Sequence, residues 1–237
     1  MSAERHRIDI EMKGLKKGKK KKEEKGKALP SGKVSPLASR YEVRLSGTGG
    51  QGLVLAGIIL AEAAGIYEGK HVVQTVSYGP QARGGTSKAE VVISDETIDY
   101  PKPMGLDLLL AMSQMACDES AYDLKPGGVL VVDSLLVTQV PIPRVVKIPF
   151  TKIAREKCGR EQMANIVALG ALSRIIPAMP AGAGVVSLES IEGAVMARIP
   201  KGTEELNRRA FQEGVGAAEE ILKTLVFEEP AEDHDQV

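Results

Sequence analysis

The chain has 237 residues, 43% of them hydrophobic and 26% charged, with 31 basic side chains against 31 acidic ones. That length suits one sizeable domain, well above the size of roughly 40 residues below which disulfides or metals usually become necessary. The longest strongly apolar run, Leu53 to Ala61, falls short of the roughly 20 residues that a spanning helix requires. The N-terminus carries no apolar h-region of a secretory signal, so a cytoplasmic protein is the expectation.

The charge balance holds only in the sum. Residues 1 to 40 carry about eight net positive charges and the remainder about eight negative ones. The run KKGKKKKEEKGK, Lys16 to Lys27, has almost nothing apolar to bury and cannot offset its ordering entropy. Residues 1–39 therefore read as a basic disordered arm and linker, punctuated by Pro30, Gly32 and Pro36. Such an arm can hold phosphate backbones or anionic lipid heads, or serve as a solvated tail that docks on an acidic partner. Residues 40–227 are expected to form the folded domain, and residues 228–237 a short acidic tail.

Tyr41 to Ser46 alternates apolar and polar residues and runs into GTGGQG, after which LVLAGIILAEAAGIY has helical length. Further strands are expected at His71 to Ser77, at Thr86 to Ser94 with one face exposed, at Asp107 to Met112, at Gly128 to Asp133 and at Arg144 to Ile148. Helices are expected around Ser113 to Tyr122, Thr151 to Cys158, Asn165 to Ile176, Leu188 to Ala197 and Thr203 to Leu225. The alternation predicts a three-layer α/β/α, Rossmann-like domain with a mostly parallel sheet, and ligands in such sheets gather at the carboxyl ends of the strands.

Gly47, Gly49 and Gly52 satisfy G-x-G-x-x-G between a strand and a helix. Glycines let the backbone approach an anion closely, and a helix N-terminus offers unpaired N–H groups. The same turn demands glycines for packing alone, so both readings stand. A dinucleotide site would add an acidic residue about 20 positions on, at the end of the second strand; Ser77 and Tyr78 stand there instead. A P-loop would need Lys followed by Ser or Thr after the last glycine, where this chain has Leu53. A second loop, SYGPQARGGTS from Ser77 to Ser87, surrounds Gln81 and Arg83 with Gly79, Gly84 and Gly85. Its guanidinium is shaped for bidentate contact with phosphate or carboxylate, or for an ion pair with a nearby Asp or Glu.

Nothing in the chain forms a familiar catalytic constellation. His6 and His234 lie in the tails and His71 at a strand start, where a structural role is commoner. Cys117 and Cys158 lack a C-x-x-C partner and read as small core residues. Asp107, Asp133 and Asp99 sit at strand edges, where capping and turn duties are the commoner reading.

GTGGQG at Gly47 to Gly52, QTVSYGPQARGGTSKAEVVISDETIDYP at Gln74 to Pro101 and NIVALGAL at Asn165 to Leu172 together resemble the gamma subunit of 2-oxoacid:ferredoxin oxidoreductases, and most of all its 2-oxoglutarate branch. The resemblance spans roughly Arg40 to Leu225. It implies one component of a multisubunit enzyme that decarboxylates a 2-oxoacid oxidatively, makes an acyl-CoA and sends two electrons to ferredoxin. It further implies that alpha and beta subunits hold thiamine diphosphate and its magnesium, and that a ferredoxin-like delta subunit holds 4Fe–4S clusters. Coenzyme A would then be received with help from this chain, at Gly47, Thr48, Gly49, Gly50, Gln51, Gly52, Ser77, Tyr78, Gly79, Gln81, Arg83, Gly84, Gly85 and Asn165. No residue of the chain is expected to be catalytic or to bind metal. The arm through Ser39 is outside the usual gamma pattern, and Gln81 stands where related 2-oxoglutarate subunits often carry Glu. A standalone dehydrogenase and an adaptor working through the arm are the alternative readings.

Overall fold

The computed structural model describes residues 40–79 and 85–225. The basic arm, the middle of the second loop and the acidic tail lie outside the described residues. Six strands form one sheet: β1 (Arg40–Thr48), β2 (His71–Tyr78), β3 (Thr86–Ser94), β4 (Leu106–Ala111), β5 (Leu124–Asp133) and β6 (Val145–Ile148). They lie in the order β2-β3-β1-β4-β5-β6. Pairs β1–β4, β4–β5 and β5–β6 are parallel; β3 runs antiparallel to both β1 and β2. Inserted between β2 and β1, β3 is buried along most of its length, more than its alternating sequence suggests. Only Lys88 and Glu90 keep partial exposure, because that face of the sheet carries ion pairs: Arg44 joins Glu90 at 2.7 Å and also Asp123.

The period-2 pattern of β1 explains the layers. Tyr41, Val43 and Leu45 enter the larger core, which they share with α1 (Leu53–Glu62), α3 (Phe150–Cys158), α4 (Ala164–Ala178), α5 (Leu188–Arg198) and α6 (Glu204–Leu222). On the opposite face Leu106, Leu109, Leu130 and Val132 pack with Ala116 and Cys117 of α2 (Gln114–Ser120). Successive side chains of a strand point to opposite faces, so one apolar strand can serve both layers.

Helix ends are set locally. Ser113 caps α2 by accepting the Ala116 N–H at 3.2 Å, and Ser187 caps α5 by accepting the Ser190 N–H at 3.2 Å. Asp133, fully buried at the end of β5, accepts the Leu135 N–H at 3.0 Å and the Thr151 N–H at 2.9 Å. It therefore satisfies an orphan donor at the start of α3. Helix α1 widens into a π-turn over Ala63–Tyr67, and Glu68, just beyond it, accepts from the Ser187 N–H at 2.9 Å and the Ser190 hydroxyl at 2.6 Å.

Helix α6 buries Asn207, Ala210, Phe211, Gly214, Val215 and Ala218, the i, i+3, i+4, i+7 stripe of an amphipathic helix. Its partner α4 is apolar nearly all round because it lies between α6 and the sheet. The two backbones approach so closely that a Cβ on Gly170 would overlap the Phe211 carbonyl oxygen, and one on Gly214 the Val167 carbonyl. Backbone cannot yield as a flexible side chain can, so Gly214→Ala is expected to cost about 2–3 kcal/mol of stability; urea unfolding of the chain measures it.

The amino ends of the parallel strands are tied by a buried carboxylate. Glu42 accepts from the Met104 and Gly105 N–H groups at 3.0 and 2.9 Å, pairs with Arg40, and has the Lys125 ammonium 3.8 Å away. Burial pushes this carboxyl up, but the bonds from Arg40, Gly105 and Met104 and the Lys125 charge outweigh it and hold Glu42 below its ordinary value. A depressed folded value contributes stability that is complete above the unfolded pKa and is lost as pH falls through the folded one. Stability should therefore decline as the medium is acidified below the ordinary carboxylate range. Glu42→Gln should flatten that decline in denaturant titrations repeated across pH.

Candidate functional site

The carboxyl ends of β1 and β2 lie at the same end of the sheet, because both run antiparallel to β3. Thr48 pairs with Thr86 and Tyr78 with Ser87. The glycine turn leaving β1 therefore stands beside the stems of the second loop. A backbone bond joins them: the Gly49 N–H donates to the Gly85 carbonyl at 2.9 Å, while the Gly79 N–H closes the loop's neck onto the Thr86 carbonyl at 2.7 Å. Ser77 and Tyr78 are exposed at the end of β2. Gln81, Arg83 and Gly84 lie outside the described residues.

Within the turn, Gly50 and Gly52 adopt positive φ, +96° and +76°, a conformation that glycine reaches without a Cβ penalty. Gly52 opens α1 without any side-chain cap, so no side chain of the cap satisfies the first N–H groups of that helix. Part of the turn's donor capacity is spent inside it. The Gln51 Oε1 accepts the Thr48 N–H at 2.7 Å, and its Nε2 donates to the Met112 carbonyl at 2.9 Å. Among the described residues, the N–H groups of Gly50 and Gly52 take no partner.

Asn165 reaches the turn from α4. It is buried, its Nδ2 donates to the Gly52 carbonyl at 3.3 Å and its Oδ1 accepts the Ile166 N–H at 2.8 Å. A Cβ on Gly52 would overlap that amide. Segments 113 residues apart in the chain thus meet at one turn, and a cleft of about 330 Å³ opens beside them, lined among others by Gly50, Leu55, Arg160, Asn165, Ile199 and Asn207. Its walls are mainly apolar, with two exposed arginines, Arg160 and Arg198, among the lining residues.

The structure also brings in residues that the sequence does not single out. Lys88 and Thr86 of β3 both contact Glu119 of α2, at 3.0 and 3.3 Å, so an ion pair flanks the loop stems. Met112 enters through its carbonyl, which no residue-type pattern announces, and Arg160 through a turn before α4. Cys117 is buried and Cys158 half-buried. Burial raises both thiols, helped at Cys117 by Asp118. Among the described residues no three His, Cys, Asp or Glu side chains gather as a metal ion requires, and no helix is long and apolar enough to cross a membrane.

Against known proteins, residues 42–217 match the model of the pyruvate ferredoxin/flavodoxin oxidoreductase family. The chain belongs to that family. It is of the gamma-subunit type, a component of a 2-oxoacid:ferredoxin oxidoreductase. The 2-oxoglutarate synthase subunit KorC of Methanocaldococcus jannaschii is 51% identical to it over 186 residues, covering 77% of this chain and 96% of the relative. The crystal structure of a keto/oxoacid ferredoxin oxidoreductase gamma subunit from Geobacter sulfurreducens superposes with a TM-score of 0.68 at 51% identity, covering 77% of this chain and 98% of that one. A 2-oxoglutarate:ferredoxin oxidoreductase from Magnetococcus marinus, solved with 2-oxoglutarate, coenzyme A and succinyl-CoA, shares the fold: TM-score 0.67, 24% identity, 81% of this chain and 32% of that one.

Asn165 contributes through its amide to the Gly52 carbonyl, so Asn165→Ala leaves that carbonyl unmet and opens space under the turn. We expect it to cost about 1–3 kcal/mol of stability, read as a lowered unfolding midpoint in urea.

Proposed function

We propose that this chain is the gamma subunit of a cytoplasmic 2-oxoglutarate:ferredoxin oxidoreductase, and that its glycine turn and the loop from Ser77 to Gly85 form the face that meets the phosphates of coenzyme A and the catalytic subunits. The reaction consumes a 2-oxoacid, coenzyme A and two oxidised ferredoxins, and yields acyl-CoA, carbon dioxide, a proton and two reduced ferredoxins. Thiamine diphosphate with magnesium on the alpha and beta subunits supplies the carbanion chemistry, and 4Fe–4S clusters on a ferredoxin-like delta subunit carry the electrons to ferredoxin.

One observation carries the reading: the Gly49 to Gly85 backbone bond gathers two glycine-rich segments at the carboxyl ends of the strands, beside the uncapped start of α1. The N–H groups of Gly50 and Gly52, without partners among the described residues, suit an anion, and the guanidinium of Arg83 is of the shape that phosphate prefers. The chain itself orients and binds; bond breaking belongs to the partner subunits. The choice of 2-oxoglutarate rests on the name of the 51%-identical relative.

In the reconstituted complex, Arg83→Ala should raise the KM for coenzyme A about tenfold, the loss of one charge-assisted hydrogen bond, or weaken assembly in size-exclusion chromatography. Unchanged kinetics together with unchanged assembly would discard the role of Arg83. The purified chain alone should turn over no 2-oxoglutarate with coenzyme A and ferredoxin present, and activity should appear only when the other subunits are added.

A further inference from the structure

The parallel pairing of β1 with β4 runs in register from Val43↔Leu108 to Ser46↔Ala111. Its last ladder bond is the Met112 N–H to the Ser46 carbonyl, 2.8 Å. In an evenly spaced parallel ladder the same residue next accepts from the partner strand two positions on, so the bond due here is Thr48 N–H to the Met112 carbonyl. It is not made. The Thr48 N–H donates to the Gln51 Oε1 at 2.7 Å and the Gln51 Nε2 donates to the Met112 carbonyl at 2.9 Å. A side-chain amide is thus inserted into one backbone hydrogen bond, donor toward one strand and acceptor toward the other. Gly47 is glycine for the same reason: a Cβ there would overlap the Gln51 Oε1 and crowd the Met112 side chain.

β1 turns away from β4 at this point and keeps only its β3 pairing, Gly47↔Ser87 and Thr48↔Thr86. The connection from β1 leads through α1 to the β2 side of the sheet while β4 lies on the other, which makes this the switch point of the fold. Crevices at such points are where open α/β sheets receive ligands.

We propose that Gln51 is a positioning residue of the coenzyme A site: its amide acts as a spacer in the β1–β4 ladder, holding the strand ends apart and the glycine turn in the conformation that leaves the Gly50 and Gly52 N–H groups available to phosphate. This inference rests on the reading of the turn given under Proposed function. It assigns Gln51 to the turn's architecture, not to ligand contact. The role needs an acceptor and a donor on one planar group at that reach. Glutamate supplies only acceptors, and asparagine is one methylene short.

The test uses the reconstituted complex with Gln51→Ala. Without the spacer Thr48 can bond directly to Met112, so the ladder closes, while the turn beyond it, Gly49 to Leu53, is no longer held in its present conformation. The melting temperature of the complex should stay near that of the parent, the KM for coenzyme A should rise about tenfold and kcat should stay within about twofold. Hydrogen–deuterium exchange should speed up across residues 47–53. Gln51→Asn should resemble Gln51→Ala, whereas a merely space-filling Gln51 would be restored by Gln51→Met.

Unchanged exchange over residues 47–53 overturns the proposal, as does rescue of the KM by Gln51→Met. A fall in melting temperature with an unchanged KM also overturns it, since Gln51 would then be structural alone. Faster exchange at 47–53 with melting temperature and KM both unchanged keeps the spacer and discards coenzyme A as the turn's ligand. Should Gln51→Ala fail to assemble, Gln51→Met decides, because it keeps the length of the side chain and removes both bonds without adding a charge; a parental KM in that variant overturns the proposal.

Discussion

A single hydrogen bond position organises the end of the sheet where the candidate site lies. β1 must leave β4 there, because its chain has to climb into α1, yet the backbone groups of Thr48 and Met112 sit where water is largely excluded and need partners. Gln51 satisfies both at once. That solution requires a glycine beneath the amide at Gly47, and within the turn the N–H groups of Thr48, Gly49 and Gln51 are spent while, among the described residues, those of Gly50 and Gly52 are not. Asn165 repeats the logic from the helical side, meeting the Gly52 carbonyl from a segment far along the chain. The turn is thus clamped from the sheet and from α4 by two neutral amides.

The two ends of the sheet divide the labour. At the amino ends of the parallel strands, the buried carboxylates of Glu42 and Asp107 pair with the partly exposed Lys125 and Arg40, with the Lys125 ammonium 2.7 Å from Asp107 and the Glu42 N–H bonded to the same carboxylate at 2.8 Å. Paired and hydrogen-bonded, these charges hold the strand starts in register, and removing one partner would strand the others without compensation. At the carboxyl ends the backbone supplies the polarity. In open α/β folds it is the carboxyl end of the sheet that ligands usually approach.

Much of this was legible in the residues. The run from Leu53 to Tyr67 read as a buried helix, and it forms α1 and its π-turn, although Leu55, Ile66 and Tyr67 stay exposed; the strand at β5 announced itself as an apolar run ending in Asp133. The helices from Thr151 onward followed their apolar spacing to within a few residues. The edge aspartates were readable as caps, and Asp133 does serve α3 in that way. The burial of β3 was not legible. Its alternation matches a strand with one wet face, but lying between β2 and β1 it has a neighbour on either side, and its Glu90 pairs with Arg44 where solvent was expected. Nor could the sequence tell a ligand-contacting Gln51 from a structural one, since the residue type suits both.

By itself, then, the order of amino acids determined the elements, the layers they would form and the family motifs at Gly47 to Gly52, Gln74 to Pro101 and Asn165 to Leu172, because periodicity and turn chemistry are local properties of the chain. The tertiary structure alone decided which donors of the glycine turn remain open, that Met112 and Asn165 meet that turn from opposite sides, and that Lys88 and Glu119 flank it. Those facts depend on hydrogen bonds between segments 31 to 113 residues apart, and no local pattern encodes the partner of a carbonyl until the sheet and helices have brought it within reach.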